Sequence, residues 1–191
     1  MYLWNFVTKP LIQKNTKQTQ LKRQIQILSV LIILPILNFG QDLQLNYKSN
    51  QIRKELRKVV KGIGKENVIH SEAVGFGAEK TPQYKRFEKL VKKAKIEELV
   101  QLMNHSKPAV RGYAFWALAK RHYEDLDEIY IKHANDGEFV FHLEGCMGVD
   151  IPVIEFMRMV ITQQMIDLDC KKLDERTMEM MESKQYIFDK N

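Results

Sequence analysis

One glycine-rich segment carries residues that cradle phosphate groups in nucleotide-binding loops. Residues 61–65 read Lys-Gly-Ile-Gly-Lys. Such a loop also needs an earlier glycine at a fixed spacing and a Ser or Thr after the lysine, but valines stand near the first position and Glu66 follows Lys65. We therefore interpret Gly62 and Gly64 as glycines that end a helix.

Acidic residues near the C-terminus have part of the spacing of a calcium loop. Counting from Asp167, the sixth position is Lys172 instead of glycine, and the twelfth is Met178 instead of glutamate. An acidic helix start fits better, because carboxylates stabilise the positive end of a helix. The acidic residues concerned are Asp167, Asp169, Asp174 and Glu175.

His142 and Cys146 would share one face of a helix and supply half of a metal site. Gly145 weakens that helix and no second pair of ligands is evident, so both residues are predicted to pack in the interior. The other histidines are scattered without the spacing of a site: His70, His105, His122 and His133. His105 is expected to be exposed or to bond the local backbone.

Common catalytic patterns are absent from the sequence: there is no Gly-x-Ser-x-Gly, His-Glu-x-x-His or Cys-x-x-Cys. The clustered carboxylates are interpreted as surface charge at helix starts; they are Glu97, Glu98, Glu124, Asp125, Asp127 and Glu128. We therefore predict no enzyme, cofactor or metal. The alternative is an enzyme of unrecognised type that uses His142, Glu144 and Cys146, or His122 with Glu124, and it requires these side chains to converge in a deep pocket.

The two cysteines, Cys146 and Cys170, rule out a disulfide scaffold and a four-cysteine zinc module. In an oxidising compartment they would either form one disulfide or remain separate, since sequence does not report proximity.

The N-terminal segment has the order of a secretory signal. Five basic residues and no acidic residue precede an eleven-residue apolar run, 27–37, and a polar stretch with Gly40 follows. The run is short for a bilayer, which takes about 20 residues. We expect cleavage after Gly40 and export to the periplasm or the exterior. The alternatives for the apolar run are an uncleaved membrane anchor through 25–39 and a buried core helix. Separately, we expect translation to start near Leu21, because Lys22 and Arg23 alone would supply the basic residues that a signal needs.

Charge divides along the chain. The 191 residues carry 30 basic and 24 acidic side chains, and removing 1–40 leaves 25 and 24, a net charge of +1. Residues 41–98 have a net charge of +6 and residues 99–191 of −5. The global basicity therefore does not indicate nucleic-acid binding. The uneven distribution of charge within residues 41–191 has two interpretations: it steers partners electrostatically, or it reflects two differently charged, solvated surfaces.

Apolar periodicity predicts a single all-α domain over 41–191, with an irregular loop at 65–80. Thr81-Pro82 marks a helix start, and Ser49 and Asp125 are further N-cap candidates. The predicted helices cover 50–63, 82–94, 95–104, 108–122, 126–135, 152–165 and 174–187. Residues 138–144 alternate as a strand would, but we assign them to a helix because helices surround them.

The segment 96–121 is a short helix, a turn and a longer helix that opens Pro-Ala-Val-Arg. It resembles a HEAT-type repeat through Leu99, Met103, Pro108, Val110, Arg111, Ala114, Ala117 and Leu118. The alanines would let two helices approach closely, and Arg111 would bond carbonyls of the preceding turn. Residues 126–144 would be a degenerate second repeat and 82–94 a partial cap. The resemblance implies a short stack of antiparallel helix pairs. Such a stack would provide a binding or scaffolding surface and no catalytic chemistry.

The expected function is therefore that of an exported helical protein that contacts another protein through one face. A contiguous apolar or aromatic surface patch would favour this function. The identity of the partner and the oligomeric state remain open.

Overall fold

The computed structural model describes residues 43–162, 169–173 and 175–179, within a compact unit that starts at Leu43. A 3-10 turn at Ser49–Gln51 comes first, and 175–179 are helical. Six α-helices and three strands lie between: α1 (Lys54–Glu66), β1 (Val68–Val74), α2 (Pro82–Lys93), α3 (Ile96–Leu102), α4 (Pro108–Lys120), α5 (Leu126–Lys132), β2 (Phe139–Gly145), β3 (Met147–Pro152) and α6 (Val153–Ile161).

The prediction of an all-α domain is wrong, because the chain has an α/β fold with a mixed sheet. The strand order is β1-β2-β3, with β1 parallel to β2 and β2 antiparallel to β3. Strand β1 lies in the segment predicted as an irregular loop, and β2 replaces the helix predicted over 138–144. The predicted second repeat over 126–144 fails for the same reason, since it ends in a strand.

The alternation in β2 was the correct signal. Val140 and His142 are buried on the helix side of the sheet, whereas Phe139 and Phe141 point to the other face. Gly145 has a φ of +55° and starts the two-residue turn to β3, a conformation that glycine adopts without strain. Buried and exposed side chains alternate one by one along 139–142, and a strand, whose side chains point to opposite faces in turn, accounts for this pattern.

Helix α4 is the centre of the core. Every residue from Pro108 to Ala119 is buried, which confirms the prediction that this helix is covered on more than one side. Gly112 lets it approach the sheet: a Cβ there would lie 2.4 Å from Ile69 Cδ1 and 3.2 Å from Phe156 Cδ1. Rings from α2 and α6 pack around Trp116: Phe87 stacks on it with a centroid distance of 4.2 Å, and Phe156 meets it edge-on.

Helix α1 extends further than predicted, and its glycines do not end it. It continues through Gly62 and Gly64 to Glu66, and Asn67 caps it with a φ of +51°. A Cβ on Gly62 would meet the Arg86 side chain at 2.7 Å, so this glycine makes room for α2. The predicted cap at Ser49 is also wrong, because Ser49 lies in the 3-10 turn.

The predicted start of α2 is confirmed: Thr81 Oγ1 accepts a hydrogen bond from the Tyr84 N–H at 3.2 Å, and Pro82 occupies the first turn. Asp125 precedes α5 but makes no capping hydrogen bond with its side chain. Within α3 and α4, the residues predicted to fill the interface are completely buried, and they are Leu99, Val110, Ala114, Ala117 and Leu118. The HEAT resemblance of this pair stays a prediction.

Several predictions fall on residues that the structure does not describe. These are the leader through residue 42, the end of the helix predicted over 152–165, Asp167 and Asp174, and most of the helix predicted over 174–187. Across the described ranges, no helix combines the length and the apolar character needed to cross a bilayer.

Candidate functional site

The sheet has one covered face and one open face. Helices α4 and α6 pack against the face that carries Ile69, Val140 and His142. On the opposite face, Phe139 is 64% and Phe141 is 37% exposed, and no helix of the described ranges covers them. This open face therefore carries exposed aromatic side chains, the kind of surface that the expected protein-binding function would use.

The two outer edges of the sheet differ in their hydrogen bonding. The Tyr113 hydroxyl accepts from the His70 N–H at 2.7 Å and donates to the His70 carbonyl at 3.0 Å. Gln83 Nε2 donates to the Val68 carbonyl at 2.7 Å. Side chains thus satisfy the β1 edge, which prevents another strand from adding there.

No strand of the described ranges pairs with the outer edge of β3. The Val153 N–H donates to the Glu138 carbonyl at 2.9 Å, which marks that pair as hydrogen-bonded. Hydrogen-bonded and non-hydrogen-bonded pairs alternate along an antiparallel ladder, so Phe141–Asp150 and Leu143–Gly148 are non-hydrogen-bonded pairs. The amides of Gly148 and Asp150 therefore point away from β2, and no group in the described ranges bonds them.

Apolar side chains flank this open edge on both faces. Met147 and Val149 lie on the helix side and are 78% and 50% exposed. On the other side the Phe141 ring covers Gly148, where a Cβ would lie 2.4 Å from Phe141 Cζ. Asp150 lies opposite Phe141 and adds an exposed carboxylate on the open face. A strand with unbonded amides and exposed apolar neighbours is a template for pairing with another chain.

A buried ion pair anchors the segment that leads into β2. Arg111 Nε and Nη2 donate to the two oxygens of Asp136 at 2.6 and 2.7 Å, and both side chains are almost completely buried. Arg111 Nη1 donates to the His105 carbonyl at 2.7 Å, which confirms the predicted bond to the preceding turn. Burial raises the pKa of the Asp136 carboxyl, but His133 and Arg111 outweigh burial and hold it below its ordinary value.

The half metal site considered for His142 and Cys146 requires a helix, and these residues lie on β2 and in the turn after it. Four residues along a strand span about 13 Å, whereas four residues along a helix bring side chains within about 6 Å. The His142 ring is buried edge-on against Phe156, and burial lowers its pKa. Cys146 is exposed in the turn, which corrects its predicted place in the interior. His142, Glu144 and Cys146 thus do not converge as an active site would require.

The other candidates are also dispersed. His122 Nε2 lies 3.6 Å from Asp169 Oδ1 at an exposed position, and the Glu124 carbonyl accepts from Lys171. His105 Nδ1 accepts from the Lys107 N–H, as predicted. In the described part of the chain, no three His, Cys, Asp or Glu side chains are placed to hold a metal.

Two further predictions concern Cys146 with Cys170 and the carboxylates at helix starts. No disulfide joins the two cysteines, and Cys170 is buried. Glu97 is exposed as predicted, but Glu98 is buried, bonds the Lys95 N–H and pairs with Arg53 at 2.8 Å. Burial raises the pKa of Glu98, yet these hydrogen bonds lower it to about 2.

The chain matches no protein-family model, no curated protein and no solved structure.

Sequence reasoning missed the open edge of β3. The sequence does contain signals for this strand: the alternation over 139–144, then Gly145, then Val149 and Ile151. Together they are typical of a hairpin. The strong helices on either side outweighed them.

Proposed function

We propose that this chain is an exported protein-binding module that takes up an extended segment of another polypeptide along the β3 edge. The observation that carries the proposal is the outward amides of Gly148 and Asp150, flanked by exposed apolar side chains. An added strand would satisfy these amides and extend the sheet, the recognition mode called β-augmentation. Export rests on the basic and apolar order of residues 1–40.

The side chains around the edge define the chemistry of the partner segment. Its residues that face the helix side would contact Met147 and Val149, and those on the open side would contact the Phe141 ring. Because strand side chains alternate between faces, apolar residues suit both sets of positions. The partner is therefore an extended, largely apolar segment.

Charge narrows the choice of partner. Asp150 is exposed on the open face, and Glu138, just before β2, is 57% exposed. The whole segment 99–191 has a net charge of −5. A Lys or Arg of the partner beside Asp150 would be favoured, and an acidic segment would be repelled.

The test uses random peptides displayed on phage and selected against the immobilised full chain. Enriched peptides are expected to be apolar with a Lys or Arg near the centre. Asp150→Pro should abolish their binding, because it removes an outward N–H and leaves the amides that face β2 intact; proline is tolerated at edge strands. Asp150→Asn keeps the N–H and should weaken binding only about two- to fivefold, the contribution of an exposed ion pair.

Two further variants separate binding from folding. Met147→Ser changes a side chain that is 78% exposed and should weaken binding about tenfold without unfolding the chain. Ile131→Ser, at a 40% exposed position of α5, is the matched control and should bind as the wild type does. Equal binding by wild type and Asp150→Pro would overturn the proposal. A dimer that Asp150→Pro dissociates would also overturn it, because a second copy would then be the occupant.

A further inference from the structure

A second surface, distant in sequence from the β3 edge, gathers positive charge around a cavity. The cavity has a volume of about 460 Å³ and lies between the segment before α1, helix α1 and the α3–α4 turn. None of the lining residues in the described part of the chain is acidic. They are Tyr47, Ser49, Arg57, Val60, Lys61, Gly64, Lys65, His105, Ser106 and Lys107.

Three of the cations stand in one row. Arg57, Lys61 and Lys65 are spaced four residues apart on α1, so their side chains lie one above the other. Like charges at this spacing destabilise a helix. Within the described ranges none of the three forms an ion pair; Arg57 Nε donates instead to the Ile52 carbonyl at 2.7 Å.

The α3–α4 turn brings a fourth cation to the row. Gly64 permits the approach, because a Cβ there would lie 3.3 Å from Lys107 Cγ. Tyr47 packs against His105 with ring centroids 4.5 Å apart and closes one side. Burial lowers the pKa of His105, and the charges of Arg111 and Lys107 lower it further, as expected in a positive potential.

The acidic residues around the row do not line the cavity: Glu55 lines the neighbouring groove, and others pair with other cations. Glu66 pairs with Arg86, Glu88 with Lys80, and Glu98 with Arg53. Four cations and three hydroxyl-bearing side chains therefore face a cavity, and no described residue that lines it supplies a counter-charge. Hydrogen bonds from cations to oxyanions are the strong, charge-assisted kind.

We propose that this cavity binds a ligand that carries a multiply charged oxyanion, as a phosphate ester does. The lysines of the Lys-Gly-Ile-Gly-Lys segment would hold it from a helix face and not from a loop. Ser49, Ser106 and Tyr47 would supply hydroxyl donors, and the Tyr47 and His105 rings would provide an apolar wall. The site shares no residue with the β3 edge, so the two proposals fail or hold separately.

The test is calorimetric titration of the full chain with tripolyphosphate at low ionic strength. The double variant Lys61→Gln/Lys107→Gln should weaken binding about a hundredfold, about tenfold for each charged donor removed. The matched control is Lys58→Gln/Lys89→Gln, which removes the same charge from the neighbouring groove lined also by Arg86 and Lys93. That control should bind within about twofold of the wild type, since screening limits distant charges.

Without ligand, Lys61→Gln alone should leave the melting temperature unchanged or raise it, because it relieves repulsion along α1. Absence of tripolyphosphate binding to the wild type, or equal weakening in both double variants, would overturn the proposal.

Vesicles of phosphatidylcholine, with and without phosphatidylglycerol, separate two sources of the oxyanion. Extra binding to the anionic vesicles that is lost in Lys61→Gln/Lys107→Gln would support a lipid headgroup. Equal binding to both vesicles, together with tight tripolyphosphate binding, would support a free phosphate ligand.

Discussion

Replacing Asp136 with Asn should destabilise the protein strongly, because it leaves the buried Arg111 guanidinium without its main counter-charge. The wild-type pair has two hydrogen bonds of 2.6 and 2.7 Å, and the exposed fractions of the two side chains are 0% and 1%. Asparagine has nearly the same shape as aspartate, so the change tests charge more than packing.

The magnitude follows from the burial. Removing one partner of a buried ion pair costs about 3–5 kcal/mol. Glu138 still lies 2.5 Å from Arg111 Nη2, and the His105 carbonyl still accepts from Nη1. These remaining acceptors place the expected loss near 3 kcal/mol, a large share of the roughly 5–15 kcal/mol that stabilises a typical domain.

The assay is urea unfolding followed by far-ultraviolet circular dichroism, which gives the free energy of unfolding. Glu138→Gln is the matched control: it removes a carboxylate from the same arginine, but at a position that is 57% exposed, and should cost less than about 1 kcal/mol. The double variant Arg111→Met/Asp136→Leu should be more stable than Asp136→Asn, since no buried charge is then left unpaired. Equal losses in Asp136→Asn and Glu138→Gln would refute the reasoning.

Three further stability predictions follow from the described contacts. Gly112→Ala should cost about 1–3 kcal/mol in the free energy of unfolding, because its Cβ would meet Ile69 and Phe156 in the core; a more stable variant would contradict this. Tyr113→Phe should cost about 1–3 kcal/mol, because the β1 backbone groups of His70 lose their partner, and amide exchange at His70 should then accelerate. The Glu98 pKa lies near 2 instead of 4.5, so ionised Glu98 stabilises the fold above about pH 4.5. This contribution is lost as the pH falls towards 2. The free energies of unfolding of wild type and Glu98→Gln should therefore converge between pH 4.5 and 2.

The helical part of the fold could be predicted from the sequence because its signals are local. Pro108 and the spacing of Val110, Ala114 and Ala117 mark the start and the buried face of α4, and Thr81-Pro82 marks α2. The sheet could not be predicted in the same way. Strand β1 pairs with β2 residues more than seventy positions later, so it has no local partner. Strands β2 and β3 do form a local hairpin, but its alternation stands between two strong helices.

The candidate site depended on that missed pairing. The outward amides of Gly148 and Asp150 exist only because β3 is the last strand of the sheet. The positive charge around the cavity is partly visible in the sequence, since the net +6 of residues 41–98 includes three of the four cations. Their convergence with Lys107 required the packing of the α3–α4 turn against α1.

Amide hydrogen exchange at Gly148 and Asp150 tests the β3 edge most directly. It would be measured by NMR on the full chain with and without a peptide selected from the displayed library. Bound peptide should slow exchange at Gly148 and Asp150 and leave Val149 nearly unchanged, because the Val149 amide already faces β2. Unchanged exchange at Gly148 and Asp150 when peptide is bound would contradict binding along this edge.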